Sequence, residues 1–306
     1  MNYIYESSCF DLKQIAESGQ CFRMTPVIPD TPASHKLLTC ENPPTAYEII
    51  SCGRKLGISQ EGCRITFDCP KEELDFWKNY FDCERDYEAV IASINPEDTY
   101  LSSAAQAGRG IRILHQEPWE MIITFVISQQ KTIPNIRALV NALCLRYGSP
   151  LASENKTSDS YAFPTPHQLA AASLEELLDL KLGYRAKYIH RLSHDAAEGR
   201  LDLSILSSMD YTSAMDYLTG FYGIGKKVAN CICLFGLHHV EAFPVDTWIQ
   251  KILLEHYFDE QKYRHTPKGS LYEHIIEDCF GQYSGYAGIM QQYIFYYERL
   301  RSNRLN

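Results

Sequence analysis

The stretch Leu218-Thr219-Gly220-Phe221-Tyr222-Gly223-Ile224-Gly225-Lys226-Lys227-Val228-Ala229-Asn230-Cys231, followed after an apolar run by Pro244-Val245-Asp246, decides how this 306-residue chain is read. Residues 209–218 and 227–237 have the apolar spacing of helices, with Gly220, Gly223 and Gly225 between them. Three glycines in six residues let the backbone turn tightly, take positive φ and approach a ligand without side-chain obstruction. The second helix then starts at a glycine turn, with its free N–H groups and positive dipole end facing outward. Such an end is an anion site, and a phosphate is the expected anion.

Gly-Ile-Gly-Lys-Lys-Val-Ala at 223–229, with Pro-Val-Asp at 244–246, resembles the helix-hairpin-helix and Gly-Pro-Asp signature of the base-excision DNA glycosylases. Within that superfamily it looks most like the 8-oxoguanine DNA glycosylase branch. The resemblance implies that the second hairpin lysine is a nucleophile and the aspartate after Pro-Val its partner. Here these are Lys227 and Asp246, 246 − 227 = 19 positions apart. A glycine hairpin or a Pro-Val-Asp alone is a weak signal; the two at this separation are a strong one. The activity implied is excision of 8-oxoguanine from damaged double-stranded DNA, with AP lyase cleavage, no cofactor and a monomeric enzyme. Two rivals are a non-catalytic helix-hairpin-helix DNA-binding module and a same-fold glycosylase for another damaged purine. An alkylated purine is already an activated leaving group, so an enzyme for it has no need of Lys227.

A chain of this length with 45% hydrophobic residues suits one large or two ordinary domains. No run approaches a membrane span, and residues 1–10 are polar, without a signal-peptide pattern. The eleven cysteines are scattered and odd in number, so free, mostly buried thiols in a reducing compartment are expected. The expected location is inside the cell: cytoplasmic and nucleoid-associated if bacterial, nuclear if eukaryotic. No Cys-x-x-Cys pair is present, and only Cys279 follows Asp246, which excludes a C-terminal four-cysteine iron–sulfur cluster. No metal site is expected, and His238-His239 reads as a solvated loop end. The formal charge of −9 argues mildly against nucleic acid, but what matters is local charge, and residues 181–191 are the first basic cluster to test.

Residues 1–110 read as a strand-rich domain, with strands expected at 21–28, 46–52, 54–59 and 63–67, a polar loop at 26–35 and a helix at 71–81. From 111 to 306 the pattern is helical: 118–128, 133–147, 174–180, 185–197, 209–218, 227–237, 247–257, 271–280 and 286–301. The hairpin motif occupies about 209–237, and 153–160 reads as a polar insertion. The whole is α+β: an antiparallel β-rich N-terminal domain, then a mostly α-helical helix-hairpin-helix glycosylase domain.

Lysine has an ordinary pKa of about 10.4, so it must be made neutral to attack. A place in the first turn of a helix, beside Lys226 and partly desolvated, is expected to push Lys227 down. The neutral amine then attacks the anomeric carbon, expels the base and leaves a Schiff base. Otherwise both lysines simply face phosphate or solvent. Asp246 reads as a helix N-cap and as a carboxylate that stabilises oxocarbenium-like charge. Cys231 is four residues after Lys227 on the same helix face, where it either packs in the core or tunes the lysine.

Gln291 and Phe295 are i and i+4 on the last helix and offer an amide for a base edge and a ring for stacking. Any amphipathic helix could show the pair, but the resemblance assigns them to the flipped base. It likewise assigns Gly19, in Gly-Gln-Cys-Phe-Arg, a carbonyl contact to N7 of the lesion. N7 carries a proton in 8-oxoguanine and a lone pair in guanine. Tyr184 and Arg185 are implied to wedge and bond the opposite base, and Gln130 to fill the vacated stack. Lys187, Gly223 and Gly225 suit phosphate contacts. The chain departs from the eukaryotic pattern at Asn135, where an arginine is expected, and at Trp248, where a histidine meets a phosphate.

Overall fold

The computed structural model describes residues 1–27, 45–151 and 160–302. The loop expected at 26–35 and the insertion at 153–160 fall largely outside them. Strands β1 (Asn2–Glu6), β2 (Met24–Pro26), β3 (Thr45–Ser51), β4 (Arg54–Glu61) and β5 (Arg64–Asp68) form one antiparallel sheet in the order β1-β5-β4-β3-β2. Cys52 and Gly53, both at positive φ, close the β3–β4 hairpin with Ser51 opposite Arg54. That is the two-residue turn whose twist matches the strands. β1 was not read from sequence because its partner β5 lies some sixty positions away.

The helices are α1 (Leu12–Glu17), α2 (Leu74–Tyr80), α3 (Tyr87–Ala92), α4 (Thr99–Ala107), α5 (Pro118–Ser128), α6 (Ile133–Tyr147), α7 (Pro166–Ala170), α8 (Leu174–Asp179), α9 (Arg185–Ala197), α10 (Leu203–Ser208), α11 (Tyr211–Thr219), α12 (Lys226–Phe235), α13 (Thr247–His256), α14 (Glu260–Tyr263), α15 (Leu271–Phe280) and α16 (Ala287–Arg301). Chain direction changes are set by capping: Asp11, Asp86, Asp98, Asp202 and Asp210 each accept backbone N–H bonds at a helix start. No helix among the described residues is long and apolar enough to cross a membrane.

Two cores form. The smaller lies under the sheet, where Ile49, Leu56, Ile65 and Phe67 meet Leu12 and Ile15 of α1 and Trp77 and Tyr80 of α2. The larger runs from Tyr87 through the helices and includes most of α12. Residues 111–116 run between them: Ile111 and Ile113 join the larger core, Leu114 the smaller. Buried Arg112 pins this segment, donating to Cys9 O at 3.1 Å and Asp82 O at 2.6 Å. α12 packs on α5 and α11, and α16 packs along α4. The Gly288 N–H donates to Val240 O at 2.7 Å, which seats the start of α16 against the chain leading to Pro244.

Candidate active site

α11 and α12 are the two arms of the hairpin, with Ile224 buried beneath the turn. Of its three glycines only Gly223 is required sterically. It has φ +93°, and a Cβ there would lie 2.4 Å from the Tyr188 ring. Gly225 is the N-cap of α12 and brings no side-chain cap, so the first amides of the helix stay open to a ligand.

Lys226 and Lys227, adjacent in sequence, leave in different directions. Lys226 is exposed and its ammonium pairs with Glu273 at 3.0 Å. Lys227 is half-buried and forms no salt bridge among the described residues; its Nζ stands 5.7 Å from the centre of the Phe125 ring. It faces a cavity lined also by Gly19, Cys231, Asp246, Gln291 and Phe295. Phe125, Phe235, Pro244 and Gln292 complete the wall.

Asp246 caps α13. Its Oδ1 accepts from the amides of Trp248 and Ile249 at 3.0 and 2.8 Å, and Oδ2 takes no hydrogen bond among the described residues. Burial pushes the Cys231 thiol up, and neighbouring Lys227 opposes the shift. Gln291 donates to Pro244 O at 3.2 Å, and Gln292 donates to Gln291 Oε1 at 3.1 Å. Gln292 is buried, and its Oε1 has no partner among the described residues.

Gly19 has φ +83°, and a Cβ there would lie 3.2 Å from the Phe295 ring. Arg299 and Arg137 hold this turn, donating to Glu17 O at 2.6 Å and Ala16 O at 2.9 Å. The cavity is about 60 Å³, well below the roughly 300–1,000 Å³ of ordinary ligand sites. Phe295, with Trp248 edge-on at 6.1 Å, closes it.

A second group of residues lies around the hairpin. Gln130 is exposed at φ +53°, and the side chain of Gln129 before it donates to Gly223 O at 3.0 Å. Tyr184, Tyr188 and Tyr222 form a chain of edge-on rings, with Tyr184 and Tyr222 exposed. Lys187 and Asn135 are exposed as well. Arg185 is turned inward: it is buried, donates to the carbonyls of Gln129 and Leu182, and stacks on Tyr184 at 4.4 Å. To reach a base it must release those carbonyls.

His238 corrects the sequence reading. It is not a solvated loop end but largely buried against Asp82 and His115. Sequence reasoning also missed Gln129, Gln292, Arg299 and Tyr222. Gln292 is the instructive case: it is next to Gln291, so helical spacing puts it on another face, yet the cavity wraps far enough around α16 to include it.

Two family models match consecutive parts of the chain: the 8-oxoguanine DNA glycosylase N-terminal domain over residues 3–122, and the HhH-GPD superfamily base excision DNA repair protein over residues 123–273. The 8-oxoguanine glycosylase/lyase of Clostridium acetobutylicum, in its apo form, superposes with a TM-score of 0.79 at 30% identity, covering 97% of this chain and 96% of that one. The chain belongs to the 8-oxoguanine DNA glycosylase family. The same clostridial enzyme with double-stranded DNA bearing cytosine opposite 8-oxoguanine gives a TM-score of 0.81 at 28% identity, covering 98% of each chain. Among this family's curated members, the N-glycosylase/DNA lyase of Saccharomyces cerevisiae is 36% identical over 49% of this chain, a segment that spans only 42% of the yeast protein. A probable N-glycosylase/DNA lyase of Methanothermobacter thermautotrophicus is 29% identical over 95% of this chain and 94% of its own length.

Proposed function

We propose that this protein excises 8-oxoguanine from duplex DNA through a Schiff base on Lys227 and then cleaves the strand by β-elimination. The observation that carries the reading is the divergence of the two lysines: Lys226 is tied to Glu273 outside the cavity, while Lys227, with no salt bridge among the described residues, lines the cavity together with Asp246.

The neutral Lys227 amine attacks C1′ of the flipped nucleotide. The C1′–N9 bond breaks, and the base leaves with the electron pair and takes up a proton. Asp246 Oδ2 stabilises the positive charge that develops on the sugar, while the cap bonds hold Oδ1 still. Ring opening gives the imine to Nζ. The imine withdraws electrons from C2′, a proton leaves there, and the 3′ phosphate departs. A strand-rich part to about residue 110 supplies Gly19 to the pocket, and the helical part to residue 306 supplies the rest. Gln130, Tyr184 and the open amides of α12 face the DNA, and no cofactor is needed.

The Gly19 carbonyl takes no hydrogen bond among the described residues, so it is available to the N7–H of 8-oxoguanine and opposes the lone pair of guanine. A mismatch of that kind in a dry pocket costs about 1–3 kcal/mol. The base enters only when Phe295 leaves Gly19, and it then stacks on the ring. The orphan Oε1 of Gln292 gives that base a further acceptor. The test of the reading is incubation with a duplex containing 8-oxoguanine: base release and a strand nick are expected, and binding without either contradicts it.

Phe295→Ala, Gln291→Ala and Gln292→Leu should each slow single-turnover excision of 8-oxoguanine by about tenfold or more, the worth of one stacking or hydrogen-bond contact of about 1–3 kcal/mol. Cleavage of a preformed abasic site should change little. Equal losses on both substrates would sink the pocket assignment.

Asn135 bears on the unrepaired strand. Cytosine presents acceptors at O2 and N3; Arg185 can answer them after it swings out, but Asn135 is too short to add a second set of donors. A bidentate base contact carries about 1–3 kcal/mol of discrimination. Excision opposite cytosine should therefore exceed that opposite the other bases by a decade or two less than with two arginines. A preference of several decades across the four duplexes, in single-turnover rates, would show that another residue replaces the arginine.

A further inference from the structure

Asp82, His115 and His238 are not among the residues that line the cavity, and they come from three separated segments: the end of α2, the extended run 111–116 and the turn after α12. The Nε2 atoms of both histidines approach the Asp82 carboxylate at 3.6 Å, one to each oxygen. At that distance neither is a hydrogen bond. His238 Nε2 also lies 3.2 Å from the Ile113 carbonyl oxygen. The three side-chain donor atoms thus lie within 4.8 Å of one another, close enough for one ion to gather them once the rings splay to ligand bonds of about 2.0–2.1 Å.

The outer contacts suit a ligand carboxylate. Asp82 Oδ2 accepts from Arg85 Nε at 2.7 Å and from the Tyr87 hydroxyl at 2.9 Å, which fix its orientation and offset its charge. Asp82 and His238 both have left-handed backbones, with φ of 48° and 57°. Non-glycine residues rarely adopt this region, and it persists where the surroundings over-determine it. His115 is 30% exposed, which gives an ion a way in from solvent.

The geometry points to a divalent transition-metal site of the zinc class, formed by Asp82, His115 and His238 with the Ile113 carbonyl completing it. Two imidazoles and a carboxylate are the donors such an ion prefers. The rings now stack at 3.3 Å, 17° from parallel; an ion in the plane of both must splay them and displace the proton on His238 Nε2. Binding therefore ties the far end of α12, the helix that carries Lys227, to the segment between the two cores. It is a brace at the end of α12 opposite the one that carries Lys227.

The full-length protein, stripped with a chelator and titrated with Zn²⁺ against a chromophoric competitor, should bind one ion tightly and unfold at a higher temperature when loaded. Loss of an outer-shell partner alone weakens a site about 10–100-fold, so the double variant His115→Ala/His238→Ala should lose more than about 100-fold. His190 and His194, 4.6 Å apart on α9, are the obvious adventitious pair; their double alanine variant should bind as the parent does. Imidazole ¹⁵N spectra of the unaltered protein give a reading that does not depend on any variant folding. Zn²⁺ should shift His115 and His238 specifically. No tight binding, shifts confined to other histidines, or affinity that follows the His190/His194 variant would each overturn the site.

Discussion

Lys227→Gln should lower single-turnover excision of 8-oxoguanine by at least about three orders of magnitude, the scale on which removal of a covalent nucleophile acts, and abolish nicking at abasic sites. Lys226→Gln should retain both activities within about tenfold, since its ammonium is spent on Glu273 at 3.0 Å, outside the cavity. The pair of variants is informative because the residues are neighbours on one helix turn. DNA affinity should fall comparably in both, so a difference in rate at saturating enzyme isolates chemistry from binding. The reversed pattern would place the nucleophile on Lys226.

The second large effect separates the two duties of Asp246. Asparagine caps helices as well as aspartate does, so Asp246→Asn should keep the bonds to Trp248 and Ile249 and leave the thermal midpoint near that of the parent. The lost charge should still slow base excision about 10²–10³-fold, the usual worth of one electrostatic contact to a developing charge. Asp246→Ala should show the same rate loss and, in addition, about 1 kcal/mol of lost stability from the missing cap. Equal stability losses in both variants with little change in rate would mean that Asp246 is a cap and nothing more.

Much of this was legible in the chain because the decisive signals are local. The helices expected at 118–128, 133–147, 185–197 and 271–280 coincide with α5, α6, α9 and α15 to the residue, each marked by apolar spacing. The six residues expected to meet the base or its sugar, from Gly19 to Phe295, line one cavity although they come from opposite ends of the chain. The helices at α1, α3 and α4 went unread even though Asp11, Asp86 and Asp98 announce their starts, because short amphipathic turns in a strand-rich region carry a weak periodic signal. What could not be read was long-range. The pairing of β1 with β5, the inward turn of Arg185 onto the Gln129 carbonyl and the meeting of Asp82, His115 and His238 depend on tertiary packing, which no window of sequence encodes.

The proposed reaction turns on a covalent bond between Lys227 and the sugar. Borohydride reduction during turnover of an 8-oxoguanine duplex, followed by proteolysis and mass spectrometry of the adduct, tests it directly. A single cross-linked peptide is expected, with the added mass on Lys227. An adduct on Lys226 or on the N-terminal amine, or excision that proceeds without any trapped species, would contradict it.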